Sequence, residues 1–175
     1  MKEKNPTILG HEICGSIVAF GNKAIQFDVR NNALAIGDRI TWAIYASDPL
    51  DSMSIKGIPQ KASDLFKYGH EQITTNSHLH GGLSEYIILR PNTPIIKPMV
   101  NLPLQVLTIV NCAVATAAGA IRIAGNIEGA NVVIAGAGML GVIACAMAKT
   151  KGAKNIIAID IEDNRLQMSR AFGAT

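Results

Sequence analysis

The segment from Ala130 to Asp160 constrains this chain more than any other. Ala130-Asn-Val-Val-Ile-Ala-Gly-Ala-Gly-Met-Leu-Gly141 runs an apolar, β-branched strand into a glycine turn and a helix, and Asn155 to Ile159 then forms a second strand ending on Asp160. Strands joined through a helix pair in parallel, with the helix laid on one face of the sheet. Gly136 permits the tight turn, Gly138 lets a pyrophosphate approach the backbone, and Gly141 lets helix and strand pack closely. Met139 and Leu140 open the helix, whose free N–H groups and positive dipole end favour phosphate oxygens. Asp160 stands where a carboxylate accepts hydrogen bonds from the adenosine ribose hydroxyls and repels a 2′-phosphate. A lone glycine signature says little. Strand, turn, helix, strand and acid in register point to a dinucleotide site, for NAD in preference to NADP.

Only fifteen residues follow Asp160: one amphipathic helix with Arg165, Leu166, Met168 and Phe172, and Gly173-Ala-Thr175 as the start of a further strand. A dinucleotide fold uses two mononucleotide-binding halves and about six strands, so the sequence begins such a site without finishing it.

Up to residue 100 the pattern differs. Residues 12–20 alternate loosely and read as a strand closed by Gly21-Asn22, and Gly37-Asp-Arg39 turns into a second strand ending at Ile44. Residues 46–64, with Pro49, Gly57 and Pro59, read as loop, and Gly81-Gly-Leu-Ser-Glu-Tyr-Ile-Ile-Leu89 reads as turn and strand. Short strands and turns suggest a small β-barrel; from Leu104 the pattern becomes helical apolar runs and then the βαβ unit. The fold class expected is α+β followed by α/β, with domains over 1–103 and 104–175.

The net charge of +3 is spread evenly with no basic stripe, which argues against a nucleic-acid partner. The longest apolar run, Val132 to Ala148, is 17 residues and holds three glycines, which reads as strand plus buried helix and gives no membrane partner. The opening Met-Lys-Glu-Lys-Asn-Pro lacks the apolar stretch of a leader, and cysteines at 14, 112 and 145 form no even framework, which together suit a reducing cytoplasm.

Five motifs then line up in order: Leu9-Gly-His-Glu12, Gly37-Asp-Arg39, Gly81-Gly-Leu-Ser-Glu-Tyr86, Cys112-Ala-Val-Ala-Thr116 and Gly136-Ala-Gly-Met-Leu-Gly141. In this arrangement the chain resembles the zinc-dependent medium-chain alcohol dehydrogenases over essentially its whole length. Gly57-Ile-Pro-Gln-Lys61 with Lys67-Tyr-Gly-His-Glu71 looks more narrowly like the branch associated with phosphonate catabolism. The resemblance implies a GroES-like β-barrel catalytic domain followed by a partial Rossmann domain, a doubly wound parallel sheet. It also implies an oxidoreductase in which zinc, as a Lewis acid, lowers the alcohol pKa for hydride transfer to NAD. His11 and Cys112 match zinc ligands, and Glu12 matches a nearby acid that can approach the metal. Thr116 matches a residue beside the nicotinamide that handles the alcohol proton. Leu140 matches a side chain packed near the ring, and Arg165 a basic residue at the ribose. The partners implied are a small alcohol or the matching aldehyde or ketone, and a homodimer or homotetramer.

Departures matter as much. The family's first zinc cysteine lies some twenty residues before Gly-His-Glu, where only nine residues precede Gly10, so one ligand is expected to be missing from this chain. Asp48, Asp51, Ser54 and Ala62 align with the four cysteines of the family's structural-zinc loop, so a structural zinc is expected to be absent. The dimer-forming segment is expected to be absent too. The chain alone is therefore expected to be inactive. Two other classes stand beside the dehydrogenase reading: a remnant or half of a complemented pair, and a zinc-free member of the same fold like the quinone reductases. By residue type alone His11 is an ordinary histidine at a strand start and Cys112 a small buried hydrophobe. Cys14 and Cys145 read as core residues, and His70 as a loop histidine contacting substrate or nothing.

Overall fold

A computed structural model describes residues 6–22 and 24–175. The opening segment that bears on a leader therefore lies, apart from Pro6, outside the described residues. The chain divides into two compact units, Met1–Cys112 and Ala113–Thr175.

In the first unit, β1 (Cys14–Ser16), β2 (Arg39–Trp42) and β5 (Ile95–Ile96) form an antiparallel sheet ordered β1-β2-β5, with Cys14 opposite Thr41 and Trp42 opposite Ile95. β3 (Tyr45–Ala46) pairs with β4 (Phe66–Lys67) as a separate two-stranded ladder. Ile17, Leu34, Ile40, Trp42 and Tyr68 make the core, with Ile13, Phe20, Ile87 and Leu89 packed on it. Tyr68 is fully buried, so its hydroxyl needs partners: it accepts from the Arg90 N–H at 2.7 Å and lies 2.7 Å from Thr93 Oγ1.

Several expectations change here. The strand read over 12–20 keeps a ladder only at Cys14–Ser16, and residues 81–89 make no ladder, although Ile87 and Leu89 turn inward. The loop over 46–64 contains a short helix, α1 (Ser52–Ile55), and a 3-10 turn at Pro59–Lys61. Asp51 caps α1, accepting from Met53 N–H at 2.8 Å, and its other oxygen takes Ser63 Oγ at 2.6 Å and Ser63 N–H at 3.1 Å. One carboxylate thus ties the two ends of the loop.

From Leu104 the chain is helical to Ala124: α2 (Leu104–Ile109), a π-helical turn (Val110–Val114) and α3 (Ala115–Ala124). Within this 21-residue stretch an 18-residue window has a mean hydropathy of 1.8, which makes it long and apolar enough to cross a membrane by length and composition only. The π turn carries Asn111, whose side-chain amide is hydrogen-bonded in the first unit.

The second unit is built on β6 (Asn131–Ala135), α4 (Met139–Thr150), β7 (Asn155–Ile159) and α5 (Asp163–Ala171). β6 and β7 pair in parallel, Asn131 with Asn155 through Ala135 with Ile159. Its core is Ile127, Cys145, Ala148 and Ile156. Cys145 is fully buried there, whereas Cys14 is half-buried in β1. α5 departs from the amphipathic pattern read for it: Ser169 is buried while Met168 and Phe172 stay exposed. After Gly173 the chain turns back beside β7, where Thr175 N–H donates to the Ile156 carbonyl at 2.9 Å.

Candidate functional site

In the first unit His11 is held by its backbone. Gly10 adopts φ +95°, and its carbonyl accepts from Gly82 N–H at 2.8 Å while Leu9 O accepts from Leu83 N–H at 2.9 Å. Gly69 crosses the same segment, and a Cβ there would lie 2.5 Å from Gly10 O, so only glycine lets the two backbones pass. Asn111 Nδ2 donates to the His11 carbonyl at 2.7 Å. The Leu9-Gly-His-Glu12 motif, the Gly81-Gly82 turn and the residue before Cys112 therefore form one support.

On that support His11 Nε2 lies 3.5 Å from Cys112 Sγ, and His11 Nδ1 lies 3.2 Å from His70 Nε2. The two imidazole rings are 5.1 Å apart, tilted by 31°. Burial pushes the Cys112 thiol above its ordinary value, and the Glu12 carboxylate beside it pushes the same way. His11 and Glu12 are thus brought together with Cys112, which lies far off in the chain.

Zinc fits this group in part. Its bonds of ~2.3 Å to sulfur and ~2.0–2.1 Å to nitrogen, at a tetrahedral angle, set sulfur and nitrogen ~3.5 Å apart, the spacing of this pair. Thiolate, imidazole and carboxylate are donors of the right chemistry. Among the described residues, however, no three His, Cys, Asp or Glu side chains are arranged to hold a metal ion. The fit is that of two corners of a tetrahedron, with Glu12 close by.

The second unit holds the glycine turn. Gly136 has φ +93°, and a Cβ on Gly141 would lie 1.9 Å from Gly136 O. Gly138, the N-cap of α4, faces open space, and no side chain caps the helix there. Its first-turn N–H groups are thus left for an incoming acceptor. Met139 and Leu140 are about half exposed on that turn. Asp160 Oδ2 accepts from Ala137 N–H at 2.7 Å, and Asp160 Oδ1 from Glu162 N–H at 3.0 Å. These two bonds, with Arg165 at 3.8 Å, hold the carboxyl below the usual carboxylate range, so it is ionised at neutral pH. Gly136, Gly138, Met139, Leu140, Gly141, Asp160 and Arg165 therefore share one end of the βαβ unit. Thr116 is exposed on α3, four residues after Cys112.

Two residues near the metal candidates carry weight that the sequence did not assign: Asn111, and His70, read there as a loop histidine contacting substrate or nothing but placed 3.2 Å from His11 Nδ1. Asn111 had a faint signal, a polar side chain in an apolar helical run beside Cys112. His70 had a stronger one, since Gly69-His70-Glu71 repeats the Gly-His-Glu of residues 10–12.

Comparison with known proteins follows the same lines. The Alcohol dehydrogenase GroES-like domain family matches residues 1–99. The chain is 30% identical to a D-xylulose reductase of Scheffersomyces stipitis, over 97% of this chain and 44% of that protein. It is 29% identical to sorbitol dehydrogenase 1 of Saccharomyces cerevisiae, over 98% of this chain and 44% of that protein. Among solved structures, an alcohol dehydrogenase from Thermotoga maritima superposes with a TM-score of 0.90 at 31% identity, over 98% of this chain and 47% of that one. Galactitol-1-phosphate dehydrogenase from Escherichia coli gives 0.82 at 26% identity, over 98% and 45%. The chain thus spans less than half the length of the relatives it matches.

Proposed function

The chain belongs to the zinc-dependent medium-chain alcohol dehydrogenase family, and on that premise we propose that it carries the metal-binding and NAD-binding parts of an enzyme that oxidises a small alcohol or polyol, or reduces the matching carbonyl. The observation that carries this reading is the convergence of His11 Nε2 and Cys112 Sγ at 3.5 Å, from positions 101 residues apart. His11 and Cys112 would hold zinc, with Glu12 beside them; bound there, zinc supplies Lewis-acid polarisation of the substrate oxygen. Residues 1–103 form the GroES-like catalytic domain and residues 104–175 the first half of a Rossmann domain.

Each of the other groups has a task in this reading. The uncapped N–H groups at the start of α4 would hold the pyrophosphate, and Gly138 leaves the space for it. Asp160, ionised and fixed by Ala137 and Glu162, accepts from the ribose hydroxyls and disfavours a 2′-phosphate; Arg165 steadies that corner. With the dinucleotide bound, Leu140 would lie near the nicotinamide ring and the Thr116 hydroxyl would position the proton that leaves the alcohol. D-xylulose and sorbitol, named for the fungal relatives, make small polyols the first substrates to try.

The test is titration of the purified chain with NADH and NADPH, read by nicotinamide fluorescence, with Asp160→Ser beside the wild type. Tighter binding of NADH, with Asp160→Ser narrowing the gap at least tenfold, is expected. Equal binding of both by the wild type would remove the NAD assignment. Because among the described residues a pair of donors and no third converges for the metal, the chain is expected to bind the dinucleotide without steady turnover; sustained oxidation of sorbitol by the pure chain would overturn that.

A further inference from the structure

The His11 imidazole has a partner on each nitrogen, and the partners are of different kinds. Nε2 faces Cys112 Sγ at 3.5 Å, and Nδ1 faces His70 Nε2 at 3.2 Å. We propose that His70 is the positioning residue of His11: it accepts the Nδ1 proton of His11 and thereby fixes the tautomer whose Nε2 lone pair points at Cys112. The proposal rests on the reading of His11 and Cys112 as zinc ligands.

A neutral imidazole has one N–H donor and one bare acceptor nitrogen. To receive a metal, Nε2 must be bare, so the proton sits on Nδ1. The acceptor placed to take it is His70 Nε2, whose own ring proton must then be on Nδ1. Ligating histidines almost always give their second N–H to a carboxylate, carbonyl or water, which fixes both tautomer and ring orientation. Here a second imidazole occupies that place. A competing arrangement exists without metal. If the Cys112 thiol donates to Glu12, Nε2 of His11 can carry the proton and His70 can donate to Nδ1. Metal at Nε2 excludes that arrangement, and in the role proposed for His70 the first one holds in the resting protein as well.

The backbone brings the two histidines within reach of each other. Gly69 lies against Gly10, its φ is +76°, and its N–H donates to the His80 carbonyl at 2.8 Å. His70 N–H in turn donates to Lys67 O at 3.2 Å. Each histidine thus follows a glycine at the crossing of two chain segments, so the backbones that carry the two rings cannot separate without opening that crossing.

The experiment uses the full 175-residue chain. Ring nitrogen-15 shifts in the metal-free protein, at a pH where both rings are neutral, report which nitrogen of His11 bears the proton. Cobalt(II) affinity, measured by competition with a chelator, is compared for wild type, His70→Phe and His70→Gln, with His11→Ala and Cys112→Ser as controls. The expected result is a protonated Nδ1 on His11 in the wild type, and loss of that preference in His70→Phe together with about a tenfold to hundredfold loss of cobalt affinity. The side-chain amide oxygen of His70→Gln can accept the same proton, so this variant should recover to within a few-fold of wild type. A wild-type His11 protonated on Nε2 overturns the proposal, whatever the variants do. So does His70→Phe with unchanged tautomer and affinity, or His70→Gln as impaired as His70→Phe. If cobalt binding ignores both His11→Ala and Cys112→Ser, the zinc reading has failed instead, and the nitrogen shifts of wild type and His70→Phe alone decide the role of His70.

Discussion

Gly138 and Gly141 stand three residues apart in one motif and carry opposite loads. A Cβ on Gly138 would meet nothing within 4 Å, and its backbone, at φ −73°, suits any residue. A Cβ on Gly141 would strike Gly136 O at 1.9 Å, and because that atom is backbone it cannot swing away. Gly141→Ala should therefore destabilise the second unit by ~1–3 kcal/mol or more, the usual cost of overpacking. Gly138→Ala should leave stability within ~0.5 kcal/mol of wild type. It should nevertheless weaken NADH at least tenfold, ~1.4 kcal/mol, by filling the space the pyrophosphate needs. Urea unfolding and NADH titration of both variants separate the two roles. Matching losses of stability would show that Gly138 packs as Gly141 does and is not kept open for a ligand.

At the scale of elements, the turn at residues 28–32 shows how one carboxylate fastens a loop to a sheet. Asp28 is buried and accepts from the N–H groups of Arg30, Asn32 and Lys97 and from Asn32 Nδ2. The Asn32 side chain, followed by these backbone donors, drives its pKa far below the carboxylate range. A folded value below the unfolded one means stability that is complete above the unfolded carboxylate pKa of ~4 and is lost as pH falls. Urea midpoints should therefore drop from about pH 4 downward, and Asp28→Asn should be less stable at neutral pH with a flatter acid limb. An acid limb as steep in the variant as in wild type would move the effect to Asp38, Asp51 or Asp160, whose carboxyls are also held low. What could be read beforehand at this scale was whatever is decided locally. The glycine turn, α4 and the β6–β7 pair follow from positive φ, close approach and a period change within about thirty residues. The π turn at Val110–Val114 leaves no mark in the apolar period. Residues 81–89 alternate like a strand, yet Ile87 and Leu89 reach the core without a ladder. His70 reaches His11 only because Gly69 packs on Gly10 across 59 positions, and no local pattern records that crossing.

For the molecule as a whole, what matters is how much apolar surface the first unit leaves in solvent. Val18, Ile25, Phe27, Val29, Tyr86 and Ile88 are all more than half exposed and line one open concavity of about 1470 Å³ in that unit. Monomeric soluble proteins rarely leave contiguous apolar patches larger than a few hundred Å². Backbone at residues 18–20, outside any ladder, runs along the same concavity, adding strand-like edge to the apolar side chains. The physical expectation is a folded chain that self-associates through this face and binds a hydrophobic dye without being unfolded. Val18→Lys and Ile25→Lys, at positions 64% and 67% exposed, remove apolar contact area while adding charge and break no hydrogen bond of their side chains. The double variant should elute as a smaller species on gel filtration and bind less dye. Its melting temperature should stay within a few degrees of wild type, since exposed positions contribute ~0.5 kcal/mol or less. A wild-type chain that is already monomeric and dye-free would mean that these side chains are covered in solution. A double variant that melts far earlier would mean that they belong to the core.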